Sequence, residues 1–526
     1  MAIALPVAAV ASVVAIEGLV AAVRAGDLTV IDWLLSSYCP SVIASPAVEE
    51  ACRCGALDAL QWVGTRYPRA MLWTDRFAVL AAENGHLAVL KWLMQHTPSD
   101  FRSSGDRLEV ARSAVRNGHL AVVQWLAENG EVGDRNVELA AVALRFGRVE
   151  IAEFLCTDTE IPSLRALLAH SYELDAAAHA GNWRVLCWLH DNRVSRCTTA
   201  AMNAAAASGR LDIVQWLHEA RSEGCTRQAM DLAARGGHLA VVQWLHAHRR
   251  EGCTPRAMDL AASGGHLAVV QWLHANRSEG CSASAMDGAA ECGHLAVVQW
   301  LHEHRAEGCT REAMDRAAIR GHLDVLEWLH AHRREGCSQK AMDLAAGSGQ
   351  LRVVQWLHAH RSEGCTTLAM DLAAGNGHLD VVKWLHAHRS EGCTTYAMDD
   401  AARGNHLEVV QWLHAHRREG CTTAAMDNAT SLPLVRWLHE NQLEGCTAKA
   451  MDAAVWAGEF ESVLFLHARR SEGCSHAVVH AFRSHEHIEI FQWLCETYPE
   501  RLDTVAIRME YPHRRYLNAL LDNLGL

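Results

Sequence analysis

The chain has 526 residues, a formal net charge of −13 and only four lysines among its 48 basic residues. Arginine recurs beside glutamate along the chain, as at Arg249, Arg250 and Glu251. This mixed, acidic composition disfavours the basic surface that binds nucleic acid.

The N-terminus is the longest apolar stretch, which runs from Ala2 to Ile16 and contains Pro6 and Ser12. It is too short to cross a membrane and lacks the basic segment that opens a signal peptide. We therefore predict a capping helix within residues 1–25. A cleaved signal peptide is the alternative, because the stretch is rich in alanine and valine.

A repeat of about 28 residues follows, and Gly252–Glu279 is one copy of it. The copies are nearly unchanged through residues 197–421, and a fixed period of this size indicates a solenoid. We predict irregular repeats in 26–190, regular repeats in 191–421, divergent repeats in 422–495 and a C-terminal cap in 496–526. Seventeen units are marked by one aromatic residue each: Trp33, Trp62, Trp92, Trp125, Phe154, Trp188, Trp216, Trp244, Trp272, Trp300, Trp328, Trp356, Trp384, Trp412, Trp437, Phe465 and Trp493.

Each unit is predicted to fold as two helices. In the copy quoted above, Thr254 is a good N-cap, and the first helix should end at the Gly264-Gly265 pair, which allows a tight turn. The second helix has an apolar face at helical spacing that includes Trp272, and we expect it to be buried and to end near Gly280. No strand pattern is present, so the predicted fold class is all-α, an α-solenoid of stacked helix-turn-helix repeats.

Residues 257–273, AMDLAASGGHLAVVQWL, resemble the ankyrin repeat, and the resemblance recurs in most units. Asp259 departs from the family pattern, which has histidine there, and the unit is about five residues shorter than the usual 33. The resemblance implies a tryptophan-rich, shortened ankyrin-like array that recognises proteins. The matching residues in this copy are Ala261, Ala262, Gly265, His266, Val269, Val270 and Leu273.

Motifs for catalysis and cofactor binding are missing from the sequence. None of the four lysines follows a glycine, which excludes a phosphate-binding loop of the Gly-Lys-Ser/Thr type, and no hydrolase, kinase or metalloprotease signature occurs. We predict a non-enzymatic protein with no cofactor. The recurring aspartate, as at Asp287 and Asp315, is predicted to form a structural hydrogen bond to the next unit.

Histidine and cysteine recur as H-x-H-x-x-x-x-C, for example at His246, His248 and Cys253. Converging zinc ligands would demand a regular line of metals, so we predict no metal and interpret these residues as helix-terminal histidines and a buried thiol. Equivalent cysteines in stacked helices lie roughly 8–10 Å apart, too far for a disulfide. Reduced thiols point to an intracellular, cytoplasmic protein.

Positions that change from copy to copy mark a candidate binding surface. Counted from the N-cap, the second, sixth and ninth positions of the first helix vary, while the third, fourth, seventh and eighth stay Ala, Met, Ala and Ala. The two sets point in opposite directions at 100° per residue. Simple drift of an exposed face is the alternative interpretation. The predicted partner-binding residues are Leu344, Leu368, Leu372, Tyr396, Arg256, Leu260, Arg316 and Lys340.

The leading hypothesis is a protein-interaction scaffold that presents its first helices to a protein partner, with no membrane contact. One alternative is a helical-repeat RNA reader with one unit per base, which the negative charge disfavours. Another is a secreted effector on the same scaffold. The pattern specifies neither the identity of the partner nor the oligomeric state.

Overall fold

Paired helices make up the chain, as the repeat predicts. The computed structural model forms two bodies, Met1–Cys253 and Thr254–Leu526, called here the N-terminal and the C-terminal body. Within the described residues there are helices and turns and no strand, so the protein is an all-α solenoid. The described residues are 18–38, 45–66, 75–96, 104–130, 132, 135–156, 160–168, 172–194, 196–441, 444–476, 488–502, 505 and 507–508.

The first described residues of the N-terminal body, 18–25, are helical. Residues 1–17 of the predicted cap lie outside the described residues. The further helices are Leu28–Trp33, continued by the π-helix Leu34–Tyr38, then Ser45–Cys54, Leu57–Arg66, Asp75–Glu83, Leu87–His96, Ser104–Asn117, Leu120–Glu128, Asn136–Arg145, Val149–Leu155, Ile161–Leu167, Glu173–Ala180, Trp183–Asp191, Thr199–Ala207, Leu211–Ala220, Arg227–Arg235 and Leu239–His248.

The C-terminal body contains the most regular units. The end of the predicted C-terminal cap, residues 509–526, lies outside the described residues. Its helices are Arg256–Ser263, Leu267–Asn276, Ser284–Glu291, Leu295–His304, Arg311–Arg320, Leu323–His332, Gln339–Gly347, Leu351–His360, Thr367–Gly375, Leu379–His388, Tyr396–Arg403, Leu407–His416, Thr423–Asn428, Leu432–Asn441, Lys449–Ala457, Phe460–Arg469 and Ile488–Thr497, with a 3-10 turn at Pro499–Arg501.

The turn between the two helices depends on glycine. Pro255 and not Thr254 occupies the N-cap of this first helix, although the Thr254 Oγ1 still accepts a hydrogen bond from the Arg256 N–H at 3.3 Å. Gly265 then adopts a φ of +75°, and a Cβ there would lie 2.6 Å from the ring of His294 in the next unit. Glycine is therefore required both for the left-handed backbone and for the close approach of the next unit.

The second helix ends earlier than predicted. It stops at Asn276, because Arg277 is extended with φ −129° and ψ 145°. The extended linker lets the Arg277 guanidinium pair with Glu279 two residues later. The predicted end near Gly280 is therefore wrong by about one helical turn.

The core consists of small and aliphatic side chains. In the first helix the constant alanines and the methionine are buried, and in the second helix Val269, Val270 and Leu273 are at most 1% exposed. Within each body, first helices of neighbouring units pack on one another. Alanine at the contact allows this close approach, and the valines and leucine of the second helix fill the remaining space.

The recurring tryptophan is not part of this core, which corrects the sequence prediction. Trp300 is half-buried, while Val297, Val298 and Leu301 on the same helix are buried. The indole stacks on His304, with ring centroids 4.4 Å apart, and meets His274 of the preceding unit edge-on at 5.2 Å. Tryptophan therefore covers the outer edge of the contact between two units.

Within the C-terminal body the recurring aspartate joins one unit to the next, as predicted. The carboxylate of Asp343 is buried and accepts hydrogen bonds from the N–H and the hydroxyl of Thr366, at 2.7 and 2.8 Å. Thr366 is the N-cap of the following first helix. Asn203 stands at this position in the N-terminal body and makes the equivalent two bonds to Thr226. The aspartate thus holds the start of the next unit in place.

The linkers carry a second repeated contact. Arg305 pairs with Glu307 in the same linker and donates a hydrogen bond to Nδ1 of His274 in the preceding unit at 3.4 Å. The pair with Glu307 raises the pKa of Arg305, which keeps the guanidinium charged. The recurring arginine and glutamate therefore form an ion pair within the linker, and the arginine also contacts the preceding unit.

The cysteines of the described residues form no disulfide, and most of the recurring ones are buried. Burial raises the pKa of Cys309 and of Cys337 to about 11, so these thiols stay protonated and unreactive near neutral pH. The described residues contain no group of three or more side chains suited to a metal ion. None of the described helices is long and apolar enough to cross a membrane.

Candidate protein-interaction surface

Three neighbouring first helices of the C-terminal body carry the predicted apolar residues. Leu344 lies on Gln339–Gly347, Leu368 and Leu372 lie on Thr367–Gly375, and Tyr396 opens the next first helix. We call these four residues the apolar strip. Each helix buries its alanines and methionine against the core, so the strip residues lie on the outer side.

Exposure differs along the apolar strip. Tyr396 is 66% exposed, Leu368 54% and Leu344 36%. Leu372 is only half-buried, because its Cβ lies against Gly347 of the preceding first helix, where an added Cβ would come within 2.9 Å. The second position of the helix is therefore more accessible than the sixth, which the sequence analysis treated as equally exposed.

The other predicted residues lie on the first helix of Leu344 or on earlier first helices of the C-terminal body. Arg256 and Lys340 are exposed, while Leu260 is half-buried, as Leu372 is. Arg316 is exposed and bridges two acids, Glu291 at 2.9 Å and Glu312 at 3.0 Å. These contacts make the region around Arg316 a self-neutralised cluster of charges.

Trp456 was missed by the sequence analysis. It is 70% exposed at the ninth position counted from Thr447, the residue aligned with the N-cap Thr366, and the ninth position belongs to the variable set. Extending the comparison of copies to the divergent units would have found it. Of the five exposed large apolar residues in the described part of the C-terminal body, four lie on first helices, and the fifth is Val505.

The N-terminal body distributes its exposed apolar residues differently. Phe146 and Tyr172 flank first helices, whereas Phe154 and Trp183 lie on second helices. Trp183 is engaged with Trp216, at 5.7 Å between ring centroids. These side chains do not lie along one row of helices. The face formed by the first helices of the C-terminal body is therefore the better candidate surface.

The chemistry of the surface suits contact and not reaction. The inward carboxylates on these helices, such as Asp371, have both oxygens occupied by the next unit, at 2.7 and 2.8 Å from Thr394. Burial is the largest influence on Asp371 and raises its pKa. The outward face offers leucine, tyrosine and exposed cations, which are groups that bind a surface of another molecule.

Two sequence models of known repeats match the chain. The model "Ankyrin repeats (many copies)" matches residues 197–246, 258–302, 286–330 and 314–358, and "Ankyrin repeats (3 copies)" matches 78–164 and 342–422. Together these matches cover more than half of the chain. The chain belongs to the ankyrin-repeat family. The resemblance found in the sequence is thereby confirmed, and it extends over both bodies.

Ankyrin-repeat arrays are generally protein-interaction modules, typically without enzymatic activity. Comparison with curated proteins finds no match to the chain. Among solved structures, the maize pentatricopeptide repeat protein PPR10 is similar at 10% sequence identity and a TM-score of 0.26. That alignment covers 97% of this chain and 90% of the maize protein. A TM-score this low carries no weight for fold or function.

Proposed function

We propose that this ankyrin-repeat protein is a non-enzymatic scaffold that binds a protein partner through the outward face of its first helices in the C-terminal body. The apolar strip forms the centre of the contact. The remaining predicted residues extend it over neighbouring units. They are Arg256, Leu260, Arg316 and Lys340.

The observation that carries the proposal is the exposure of large apolar side chains at variable positions. Leu368 and Tyr396 are both more than half exposed. The same helical position holds Ser284 and Glu312 in earlier units, so the fold does not require an apolar residue there. Adjacent exposed apolar side chains on a soluble surface commonly mark an interaction site.

The test compares two pairs of charge substitutions. Leu368→Glu with Tyr396→Glu places charge in the strip, and each change should alter stability by no more than about 0.5 kcal/mol because the sites are exposed. The control is Ala331→Glu with Ala359→Glu, at exposed positions of the second helices, where Glu303 stands naturally in another unit.

Affinity capture from a lysate of the producing cells, followed by mass spectrometry, measures the outcome. The strip variant should lose proteins that the wild type and the control variant retain, with helicity by circular dichroism unchanged in all three. Retention of every captured protein by the strip variant would show that the strip is ordinary surface.

We also propose an intracellular, cytoplasmic location. Its support is that the cysteines of the described residues form no disulfide, which is the usual state of cysteines in a reducing compartment. Fluorescence microscopy of the tagged chain tests this, and detection of the chain in the culture medium with residues 1–15 removed would favour the secreted alternative.

A further inference from the structure

Resting on the proposed function, we infer that the segment bound by the apolar strip is an acidic, amphipathic segment of a protein. Its apolar side chains would contact Leu368 and Tyr396, and its carboxylates would pair with exposed cations beside the strip, above all with Lys340. The inference comes from the distribution of charge on the first helices of the C-terminal body.

Exposed charges on these helices are mostly positive, although the whole chain carries −13. Among the described first helices of the C-terminal body, seven cations face three acids. This count leaves aside the inward aspartates, each of which accepts hydrogen bonds from the serine or threonine that begins the next unit. The cations are Arg256, Arg311, Arg316, Arg320, Lys340, Arg403 and Lys449, and the acids are Glu291, Glu312 and Asp400.

All three acids are already paired within this face. Glu291 and Glu312 each contact Arg316, and Asp400 lies 3.0 Å from Arg403. They have no free carboxylate to offer a basic partner. An incoming basic segment would therefore meet paired charges and exposed cations, which oppose its binding.

Four of these cations form no ion pair with an acid in the described residues: Arg256, Arg311, Lys340 and Lys449. Arg311 donates instead to the backbone carbonyl of Glu335. The inward Asp343 offers Lys340 no partner at the surface, because both of its oxygens accept hydrogen bonds from Thr366. A carboxylate of a bound segment would be the first acid to reach the Lys340 ammonium.

Lys340 stands at the edge of the apolar strip. It precedes Leu344 by four residues, so the two side chains share one side of the helix. A segment that lays leucine-like side chains on the strip thereby brings its polar side chains to Lys340. Apolar anchors with complementary charges around them are the usual arrangement of a protein interface.

A protein segment fits better than a nucleic acid. A phosphate backbone needs a continuous row of cations, whereas only Arg311 and Lys340 among the four unpaired cations lie on neighbouring first helices. Between Lys340 and Lys449 the face presents the apolar strip and the pair of Asp400 with Arg403. This spacing suits isolated carboxylates on a largely apolar segment.

Selection from a displayed library of random peptides of about 15 residues tests the inference on the full chain. Counter-selection on the Leu368→Glu, Tyr396→Glu variant removes peptides that bind elsewhere. We expect the enriched peptides to combine apolar residues with net negative charge. Enrichment of neutral or basic peptides would overturn the acidic assignment and leave the proposed function standing. No strip-dependent enrichment would overturn both.

A matched pair of lysine substitutions then tests the role of Lys340 by fluorescence anisotropy with the most enriched peptide. Lys340→Glu should weaken binding on the order of tenfold, because it replaces an attraction by a repulsion at the interface rim. Lys383→Glu changes the net charge equally from an exposed site on the second helix Leu379–His388 and should have no effect.

Equal losses in the two lysine variants would overturn the assignment of Lys340, because they would show that only net charge matters. A labelled oligouridine serves as the competing probe at physiological salt. Oligouridine binding that is tighter than peptide binding and is lost in Lys340→Glu would overturn the inference in favour of nucleic acid. Circular dichroism verifies that both variants are folded.

Discussion

Replacing Asp371 by alanine should weaken one contact between units without disturbing the core of either. Asp371 is 4% exposed, and its carboxylate accepts hydrogen bonds from the Thr394 N–H at 2.7 Å and from the Thr394 hydroxyl at 2.8 Å. Alanine removes both bonds and leaves a donor N–H at the start of the next helix without its acceptor. The perturbation therefore affects the coupling between two neighbouring units.

The expected cost is about 2–3 kcal/mol. A hydrogen bond to a charged acceptor contributes roughly 1.5–3 kcal/mol, and two such bonds are lost. Alanine also removes the cost of burying the carboxylate, which the raised pKa of Asp371 reveals, so the net effect is smaller than the sum of the two bonds. Asparagine should restore most of the loss, as Asn203 forms both equivalent bonds to Thr226.

Hydrogen exchange followed by mass spectrometry measures this effect locally, which suits an array whose units open separately. A loss of 2–3 kcal/mol accelerates exchange by about 30- to 150-fold in peptides covering the Asp371 and Thr394 helices, if exchange follows the opening equilibrium. Asp371→Asn should stay within a few-fold of the wild type. Equal acceleration by asparagine and alanine would refute the role of the two hydrogen bonds, since only the charge would then matter.

Three further predictions follow from the packing and the titration of single groups. Trp300→Ala should cost about 1–2 kcal/mol in urea denaturation, below the roughly 3–5 kcal/mol of a fully buried aromatic, because the indole is half-buried. Burial raises the pKa of Asp371, so its carboxyl binds protons more tightly when folded and its contribution to stability falls as pH rises above about 4. Asp371→Asn should therefore gain stability relative to the wild type as the pH rises above about 4. Urea denaturation midpoints of both proteins at several pH values measure this difference. In native protein at mildly alkaline pH, iodoacetamide should label the exposed Cys54 and Cys292 first. Cys337, whose thiol has a pKa of about 11, should be labelled only after unfolding. Mass spectrometry of the labelled protein measures both.

Repetition made the fold predictable from the sequence. A single copy of the repeat would not be enough to predict where each helix begins and ends. The constant Thr, Ala, Met, Ala and Gly positions recur in many copies, and together they predict the caps, the buried side of the first helix and the turn. The role of the aspartate was also predictable, since a uniform ladder of buried acids fits a repeated contact better than catalysis. The structure confirms it at Asp343, whose acceptor atoms serve the next N-cap.

The position of the tryptophan was not predictable from periodicity alone. Trp300 and Leu301 are adjacent on one helix, and both fall within a broad apolar arc. Which of the two side chains is buried depends on the space between neighbouring units. The alanines of the first helix make this space narrow. The indole is too large for that gap and stacks instead on His304 at its edge. Such a result depends on the distance between helices, which the sequence of one unit does not state.

Coupling between units also limits how freely the candidate surface can vary. The second helical position, as at Leu368, is open to solvent, so a change there alters the surface alone. The sixth position is constrained by the unit before it: Leu372 packs on Gly347, and Asp400 packs on Gly375, each within 2.9 Å of where a Cβ would be. A side chain at the sixth position thus depends on the volume of the ninth position in the preceding helix. Specificity for a partner can therefore change by single substitutions at the second position, whereas the sixth position must change together with its neighbour.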